Sequence, residues 1–160
     1  MSVRILVCAA WLLAAAAATA QPNIFIVRHA EKASGGGNDP DLSEAGQKRA
    51  KDLAQVLKDA GISAIYVSEF KRTQETAAPL AEALHLQPVV IKGTDTAALV
   101  EKLKSASGNV LVVGHGNTIP DMIKALGLTD SISIPESDYQ EIFLVEGSDQ
   151  PKLVRLHFAQ

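Results

Sequence analysis

Four side chains that could bind and attack an anion come shortly after apolar segments of this sequence. Arg28 and His29 directly follow the first such segment, Arg72 comes soon after the second, and His115 stands between two glycines after a later one. Guanidinium groups hold phosphate oxygens through paired, planar donors, and an imidazole can act as a nucleophile. Together these residues predict a compact positive pocket for a tetrahedral dianion such as phosphate.

Each of these residues, taken alone, also has a structural explanation. Arg28 could be a surface arginine, His29 a loop histidine, and Arg72 part of a solvated helix start. His115 is harder to explain in this way, because a polar group at the end of a buried strand needs a reason. The glycines beside it permit a close approach of the backbone.

The apolar segments predict the strands that would position these side chains. Strands are expected over residues 23–27, 64–68, 88–91 and 109–116, with a C-terminal hairpin of 141–145 and 152–158. Helical stripes alternate with the first four strands, which indicates a largely parallel sheet. Ligands of such sheets bind beyond the carboxyl ends of the strands, so the polar residues would share one crevice. The backbone amides of Gly116 and Asn117, where a helix opens, would add donors to it.

The helices are predicted from apolar residues at helical spacing. The stripes cover residues 50–60, 77–84, 99–103 and 119–126. Ser43 would cap the first helix, and Gly61 and Gly127 would stop the first and the last. Pro79 lies inside the second stripe, which predicts a kink or a restart of that helix. The expected fold is an α/β three-layer sandwich with a mostly parallel central sheet, an antiparallel C-terminal portion and helices on both faces.

The composition is that of one globular domain. The chain has 160 residues, of which 47% are hydrophobic and 21% are charged, and its formal net charge is −3. Proteins that bind a polyanion normally carry a basic face, so nucleic acid is not expected as a partner. The oligomeric state is left open.

Residues 1–20 resemble a secretory signal peptide. They contain one basic residue, an apolar run and the A-x-A pattern Ala18-Thr19-Ala20, which predicts cleavage after Ala20. The alternative is a membrane anchor, but the apolar run is short for a span of roughly 20 residues. Cleavage would leave a domain of residues 21–160 that is secreted or periplasmic, has no membrane contact and has lost Cys8, the one cysteine. Disulfides, thiolate catalysis and cysteine-based zinc sites would then be excluded.

No metal or other cofactor is predicted. The histidines show neither H-x-H nor H-E-x-x-H spacing. His85, at a helix C-terminus, and His157, in a strand, are interpreted as structural residues.

The motifs around these residues resemble the histidine phosphatase superfamily, in its phosphoglycerate mutase-like branch. The "RHG" motif of the family stands here as Arg28-His29-Ala30, a variant that looks like the small phosphohistidine-phosphatase-type members. Three further blocks follow in the order of the family: "LSEAGQKRA" (42–50), "YVSEFKRTQETA" (66–77) and "VVGHGNTIP" (112–120). One such motif would be weak support, whereas four in order are strong support.

The resemblance implies a metal-independent phosphatase with a covalent mechanism. His29 would attack phosphorus and form a phosphohistidine, which water would then hydrolyse. Arg28, Arg72 and His115 would hold the phosphoryl oxygens and offset their charge. His115 would work protonated, because an anion beside it raises its pKa.

The proton donor is the point where the chain departs from larger family members. Glu31, two residues after the nucleophile, is the best candidate, and Asp121 and Glu69 are weaker ones. A weak acid would favour substrates with good leaving groups, since general acid assistance is typically worth 10²–10⁴-fold.

The expected substrate is a phosphorylated small molecule or a phosphoprotein side chain. The chain lacks the insertions that form lids in larger relatives, so its site would be open. Two alternatives remain: a phospholigand-binding module without turnover, and a phosphomutase. A serine hydrolase is less favoured because no G-x-S-x-G occurs.

Overall fold

The computed structural model describes residues 22–147 and 150–158. The predicted signal peptide, including Cys8, lies outside the described residues. Within the described ranges, no helix combines the length and the apolar character needed to cross a membrane.

The described residues form six strands and four helices, which alternate along most of this part of the chain. The strands are β1 (Ile24–Arg28), β2 (Ile62–Val67), β3 (Val89–Val90), β4 (Asn109–Gly114), β5 (Glu141–Glu146) and β6 (Lys152–His157). The helices are α1 (Glu44–Leu57), α2 (Lys71–Leu84), α3 (Thr96–Lys104) and α4 (Ile119–Ala125).

All six strands form one sheet in the order β3-β2-β4-β1-β5-β6. Strands β1 to β4 pair in parallel, and β5 and β6 continue the sheet in the antiparallel sense. The predicted fold class is therefore confirmed. Strands β1 and β4 lie side by side at the centre, so the carboxyl ends of the two most buried strands meet at one point of the sheet edge.

Successive residues of the central strands face two separate apolar cores. In β1, Phe25 and Val27 pack with α1 and α2, whereas Ile24 and Ile26 pack with α3 and α4. This alternation follows from the two-residue period of a strand, and it explains why residues 24–27 of β1 and 110–113 of β4 are all apolar. Burial on both faces fixes the register of β1 against β4, which places Arg28 opposite Gly114.

Helix α1 begins as predicted, and α2 does not. Ser43 caps α1 by accepting a hydrogen bond from the Gly46 amide at 3.1 Å. Helix α2 is one helix from residue 71 to 84 that contains Pro79, so of the two predicted alternatives, a kink or a restart, the restart is wrong. Its first amide, that of Lys71, donates to the Asp39 carboxylate at 3.0 Å, a cap supplied by a distant loop.

Gly46 allows α1 to pack tightly beneath the loop that follows β1. A Cβ at this position would overlap the carbonyl group of Glu31. The same carbonyl accepts a hydrogen bond from the Ser43 amide at 2.9 Å. The start of α1 thereby holds the backbone just beyond His29.

Candidate active site

The carboxyl ends of β1, β2 and β4 bring four cationic or titratable side chains to one cleft. We call Arg28, His29, Arg72 and His115 the four-residue cluster. The cleft has a volume of about 380 Å³ and is lined by this cluster together with Gly116, Asn117, Ile134 and Glu136. The rings of the two histidines lie with their centroids 5.3 Å apart, and the His29 amide donates to the Gly114 carbonyl at 2.9 Å. The structure therefore brings together all four side chains that the sequence predicts to meet.

His29 is held with one ring nitrogen available to a ligand. Its side chain lies 2.8 Å through Nδ1 from the Ala30 carbonyl oxygen, and the residue is only 4% exposed. A carbonyl can only accept, so Nδ1 carries the proton and Nε2 carries the lone pair. Burial is the main reason that the pKa of His29 falls from 6.5 to about 4, and His115 and the two arginines lower it further. His29 is thus a neutral imidazole at neutral pH, the form a nucleophile needs.

His115 is also buried and neutral while no anion is bound. Burial, followed by the charge of Arg72, lowers the pKa of His115 to about 4, and Glu69 opposes this shift. Its Nε2 lies 2.9 Å from the Ser68 hydroxyl. The protonated state expected from the resemblance therefore requires an anion in the cleft to raise this pKa.

Arg28 is oriented by backbone carbonyls rather than by carboxylates. Its Nη1 donates to the carbonyl oxygens of Pro135 and Glu136, each at 2.8 Å, and to that of Asp138 at 3.2 Å. Its guanidinium lies 4.4 Å from the centroid of the Tyr139 ring. These contacts fix the plane of the guanidinium without neutralising its charge.

Arg72 lies in the first turn of α2 and also lines the cleft. Its guanidinium stacks 4.2 Å from the centroid of the Phe70 ring, and its Nη1 lies 3.8 Å from the Asp39 carboxylate. The Nε atoms of both Arg28 and Arg72 are buried and have no hydrogen-bond partner among the described residues. Buried donors are normally paired, so these two atoms are available to hydrogen-bond an anionic ligand.

Gly116 and Asn117 line the cleft in a turn that precedes α4. The helix itself begins at Ile119, so the prediction that these two residues open it is displaced by two residues. A Cβ at Gly116 would stand 3.6 Å from Arg28 Nε. The absence of a side chain there keeps the space beside the guanidinium free.

The contacts of Glu31 do not favour its predicted role as the proton donor. Arg49 Nε lies 2.9 Å from both carboxylate oxygens, and Nη2 lies 2.6 Å from one of them. Burial is the largest single influence and raises the pKa of Glu31, but the hydrogen bonds and charge of Arg49, a backbone hydrogen bond and the charge of Arg28 together outweigh it and hold the pKa below its usual value. An ionised carboxylate in an ion pair has no proton to give, so its geometry favours positioning of the loop after His29.

The two weaker candidates are not better placed. Glu69 accepts a hydrogen bond from the Gly93 amide at 2.7 Å, and this bond is the main cause of its lowered pKa. Asp121 lines a different surface cavity, beside Lys124.

Sequence reasoning missed the segment between α4 and β5. This segment supplies the carbonyls that hold Arg28, the ring of Tyr139, and Glu136, the one carboxylate-bearing residue among those that line the cleft. It has no regular periodicity, and its contacts with Arg28 use backbone atoms. The one available signal is the acidic and aromatic content of "PESDY" directly before a strand.

No metal centre is evident in the described part of the chain. Residues 22–147 and 150–158 contain no group of three or more His, Cys, Asp or Glu side chains arranged to hold a metal ion.

The state of the two histidines gives a testable dependence of stability on pH. Both pKa values lie near 4 in the folded protein, below the ordinary 6.5. As the pH falls below about 6.5, the unfolded chain therefore takes up protons first, and the free energy of unfolding decreases until about pH 4. We expect each of these two histidines to lower the free energy of unfolding by roughly 3 kcal/mol between pH 6.5 and 4. Urea unfolding of the ligand-free protein measures this change.

Single substitutions separate the contribution of the two histidines to the pH dependence of stability from that of the carboxylates. His29→Gln and His115→Gln should each flatten the loss of stability between pH 6.5 and 4. His85→Asn is the matched control, because His85 is exposed and its φ of 54° is one that asparagine tolerates. A slope equally steep in all four proteins would contradict the buried neutral state.

Comparisons with known proteins bear on the fold and the family. Residues 24–94 match the family described as histidine phosphatase superfamily (branch 1). A stretch of 72 residues is 44% identical to phosphoserine phosphatase 1 of Hydrogenobacter thermophilus. This match covers 41% of the chain and only about a third, 34%, of the length of that relative.

Two solved structures illustrate the shared fold. The protein histidine phosphatase SixA complexed with tungstate aligns with a TM-score of 0.69 at 21% identity, over 84% of this chain and 96% of that one. A mycobacterial glucosyl-3-phosphoglycerate phosphatase complexed with VO3 aligns with a TM-score of 0.70 at 16% identity, over 86% of this chain and 100% of that one. At these identities the likeness shows a common architecture.

Proposed function

We propose that this chain, whose residues 24–94 match the histidine phosphatase superfamily (branch 1), is a phosphatase that hydrolyses phosphomonoesters or phosphoramidates through a covalent phosphohistidine. One observation carries the proposal. The unprotonated Nε2 of His29 belongs to a cleft in which two buried guanidinium Nε atoms lack partners. A phosphoryl group would satisfy both donors and present its phosphorus to the imidazole.

The first chemical step transfers the phosphoryl group to the protein. The lone pair of His29 Nε2 forms a bond to phosphorus, and the bond to the leaving oxygen or nitrogen breaks with its electron pair on the leaving atom. Arg28 and Arg72 stabilise the charge on the phosphoryl oxygens, which is the main task of a protein in this reaction. The hydrogen bond between Nδ1 and the Ala30 carbonyl stabilises the positive charge that develops on the ring.

The second step releases phosphate. A water oxygen bonds to phosphorus, the P–N bond breaks, and its electron pair returns to Nε2. The proton of the water passes to solvent or to a phosphate oxygen. The ring is then neutral again, in the state in which its low pKa holds it.

The substrate class follows from the leaving group and from the access to the cleft. Arg49 holds Glu31 as an ionised carboxylate, which leaves Glu136 as the one carboxyl-bearing residue among those that line the cleft. With so little acid assistance, phosphoramidates, acyl phosphates and aryl phosphates would react more readily than alkyl phosphates. The relatives are named for phosphohistidine, phosphoserine and sugar phosphate chemistry. These names support a phosphorylated small molecule or phosphoprotein side chain without choosing between them.

The proposal includes export of the domain from the cytoplasm. The A-x-A pattern at Ala18-Thr19-Ala20 supports cleavage after residue 20, with residues 21–160 acting as a secreted or periplasmic domain. A general scavenging phosphomonoesterase fits that location at least as well as a signalling enzyme, because phosphohistidine proteins are scarce outside the cytoplasm.

Chemical quenching during turnover tests the covalent step directly. With ³²P-labelled substrate, the label should appear on a peptide that contains residue 29, and it should be labile to acid and stable to base. Label on another peptide, or turnover without any labelled protein, would refute the mechanism. Release of free phosphate rather than an isomer separates hydrolysis from the mutase alternative, and any turnover removes the alternative of a pure binding module.

The proton donor can be located with two matched substitutions. Glu136→Gln should slow hydrolysis of an alkyl phosphate by roughly 10²-fold and that of p-nitrophenyl phosphate much less, because only the poor leaving group needs an acid. Glu31→Gln should reduce both rates by a similar and smaller factor, because the substitution removes only the ionised partner of Arg49.

Measuring kcat for both substrates in both variants decides the point. A selective loss on the alkyl phosphate in Glu31→Gln, with none in Glu136→Gln, would restore Glu31 as the donor.

A further inference from the structure

Two buried hydroxyl groups lie directly behind His115. Ser68 is 4% exposed and Thr73 is fully buried. The Ser68 hydroxyl lies 2.9 Å from His115 Nε2 and 2.9 Å from the Thr73 hydroxyl. The three side chains thus form a chain of hydrogen bonds that begins at the cleft and ends inside the protein.

The carbonyl groups at the inner end determine the direction of this chain. Thr73 Oγ1 lies 2.8 Å from the Phe70 carbonyl oxygen, which can only accept, so the single hydroxyl proton of Thr73 points there. Thr73 Oγ1 itself already accepts one hydrogen bond, from the Ser68 amide at 3.1 Å. The remaining lone pair of Thr73 Oγ1 therefore accepts the hydroxyl proton of Ser68.

Ser68 can then only accept from His115. Its proton is committed to Thr73, so the contact at 2.9 Å requires a proton on His115 Nε2. The Phe70 amide, at 3.4 Å, approaches the same oxygen as a second donor. With Nε2 protonated in the neutral ring, Nδ1 carries the lone pair, and it has no hydrogen-bond partner among the described residues.

We propose that Ser68 and Thr73 are positioning residues that keep the proton of neutral His115 on Nε2 and thereby present its unprotonated Nδ1 to the phosphoryl group. The catalytic role of this His115 tautomer rests on the proposed function, whereas the existence of the tautomer does not. An unprotonated Nδ1 and a phosphoryl oxygen are both hydrogen-bond acceptors. A contact between them therefore needs a proton, which is either carried by the phosphoryl group or taken up from solvent. Binding of a dianion at this position is therefore coupled to the uptake of one proton by the ring.

The inference is tested by the ring tautomer of His115 in the ligand-free protein. Two-bond ¹H–¹⁵N correlation spectra at pH 7 should show His115 protonated on Nε2. Thr73→Val is nearly isosteric and removes the acceptor of the Ser68 proton, so Ser68 becomes free to donate to Nε2. We expect a substantial fraction of His115 to move its proton to Nδ1, and kcat/KM to fall roughly ten- to hundred-fold.

Matched variants and an internal reference complete the experiment. Thr73→Ser keeps the hydroxyl and should restore both the tautomer and the rate, while the His29 tautomer should stay unchanged throughout. Ser68→Ala gives an independent measurement if Thr73→Val does not fold, and it should also release the fixed Nε2 proton. The inference would be overturned if His115 carried its proton on Nδ1 in the unsubstituted protein. It would also be overturned if the tautomer of His115 stayed the same in both Thr73→Val and Ser68→Ala. The spectra need no turnover, so failure of the proposed function remains distinguishable.

Discussion

Replacing His29 by alanine is expected to lower kcat by roughly 10⁴-fold or more. The substitution removes the only nucleophile of the proposed reaction and leaves the arginines in place. Steady-state hydrolysis of p-nitrophenyl phosphate measures the loss, and the labelled phosphoprotein should disappear with it. Inorganic phosphate should still bind, because the unpartnered Nε atoms of Arg28 and Arg72 remain.

His85→Asn is the matched control for this substitution. It also removes an imidazole, but from an exposed position at the end of α2, and its activity should be unchanged. If the His29→Ala protein kept more than about a tenth of the activity, the barrier would have risen by less than ~1.4 kcal/mol. So small a change would exclude His29 as the nucleophile.

Replacing Arg28 by lysine is expected to lower kcat/KM by roughly 10²–10³-fold. Three carbonyls orient one side of the guanidinium and leave its buried Nε without a partner on the other. An ammonium group cannot satisfy the carbonyls and a phosphoryl oxygen in the same geometry, although the charge is conserved. The measurement is kcat/KM for p-nitrophenyl phosphate, with calorimetric binding of inorganic phosphate as a second readout.

Arg155→Lys makes the same chemical change away from the cleft. Arg155 lies on β6 and pairs with Glu141, so the variant should keep full activity. Arg155 is more exposed than Arg28, and its substitution tests whether an arginine-to-lysine change elsewhere in the fold lowers kcat/KM. Equal effects of the two substitutions would show that Arg28 acts through the fold rather than on a phosphoryl group.

The central sheet and the meeting of the cluster could be predicted because they depend on strong local signals. Strands β1 and β4 are buried on both faces, so their segments are apolar without interruption, and each ends in polar residues at the sheet edge. Once the strands are parallel, the ends must meet. The roles of the cluster residues remain predictions, which the substitutions at residues 28 and 29 test.

The remaining features depend on contacts between residues that are distant in sequence. The ion pair of Glu31 joins it to Arg49 on α1, and no local pattern marks the two as partners. The early start of α2 depends on the carboxylate of Asp39, which lies in a glycine-rich loop. Pro79 interrupts α2 less than its propensity indicates, because burial of Leu80 and its neighbours against α1 and the sheet stabilises the helix.

The carbonyl contacts of Arg28 have a consequence for how new specificities could arise. Residues 135, 136 and 138 hold the guanidinium through main-chain oxygens, which every amino acid possesses. Their side chains can therefore be exchanged while the anchoring of Arg28 is preserved. Randomising position 136, whose residue lines the cleft, offers a library in which selectivity for the leaving group changes while Arg28 stays anchored.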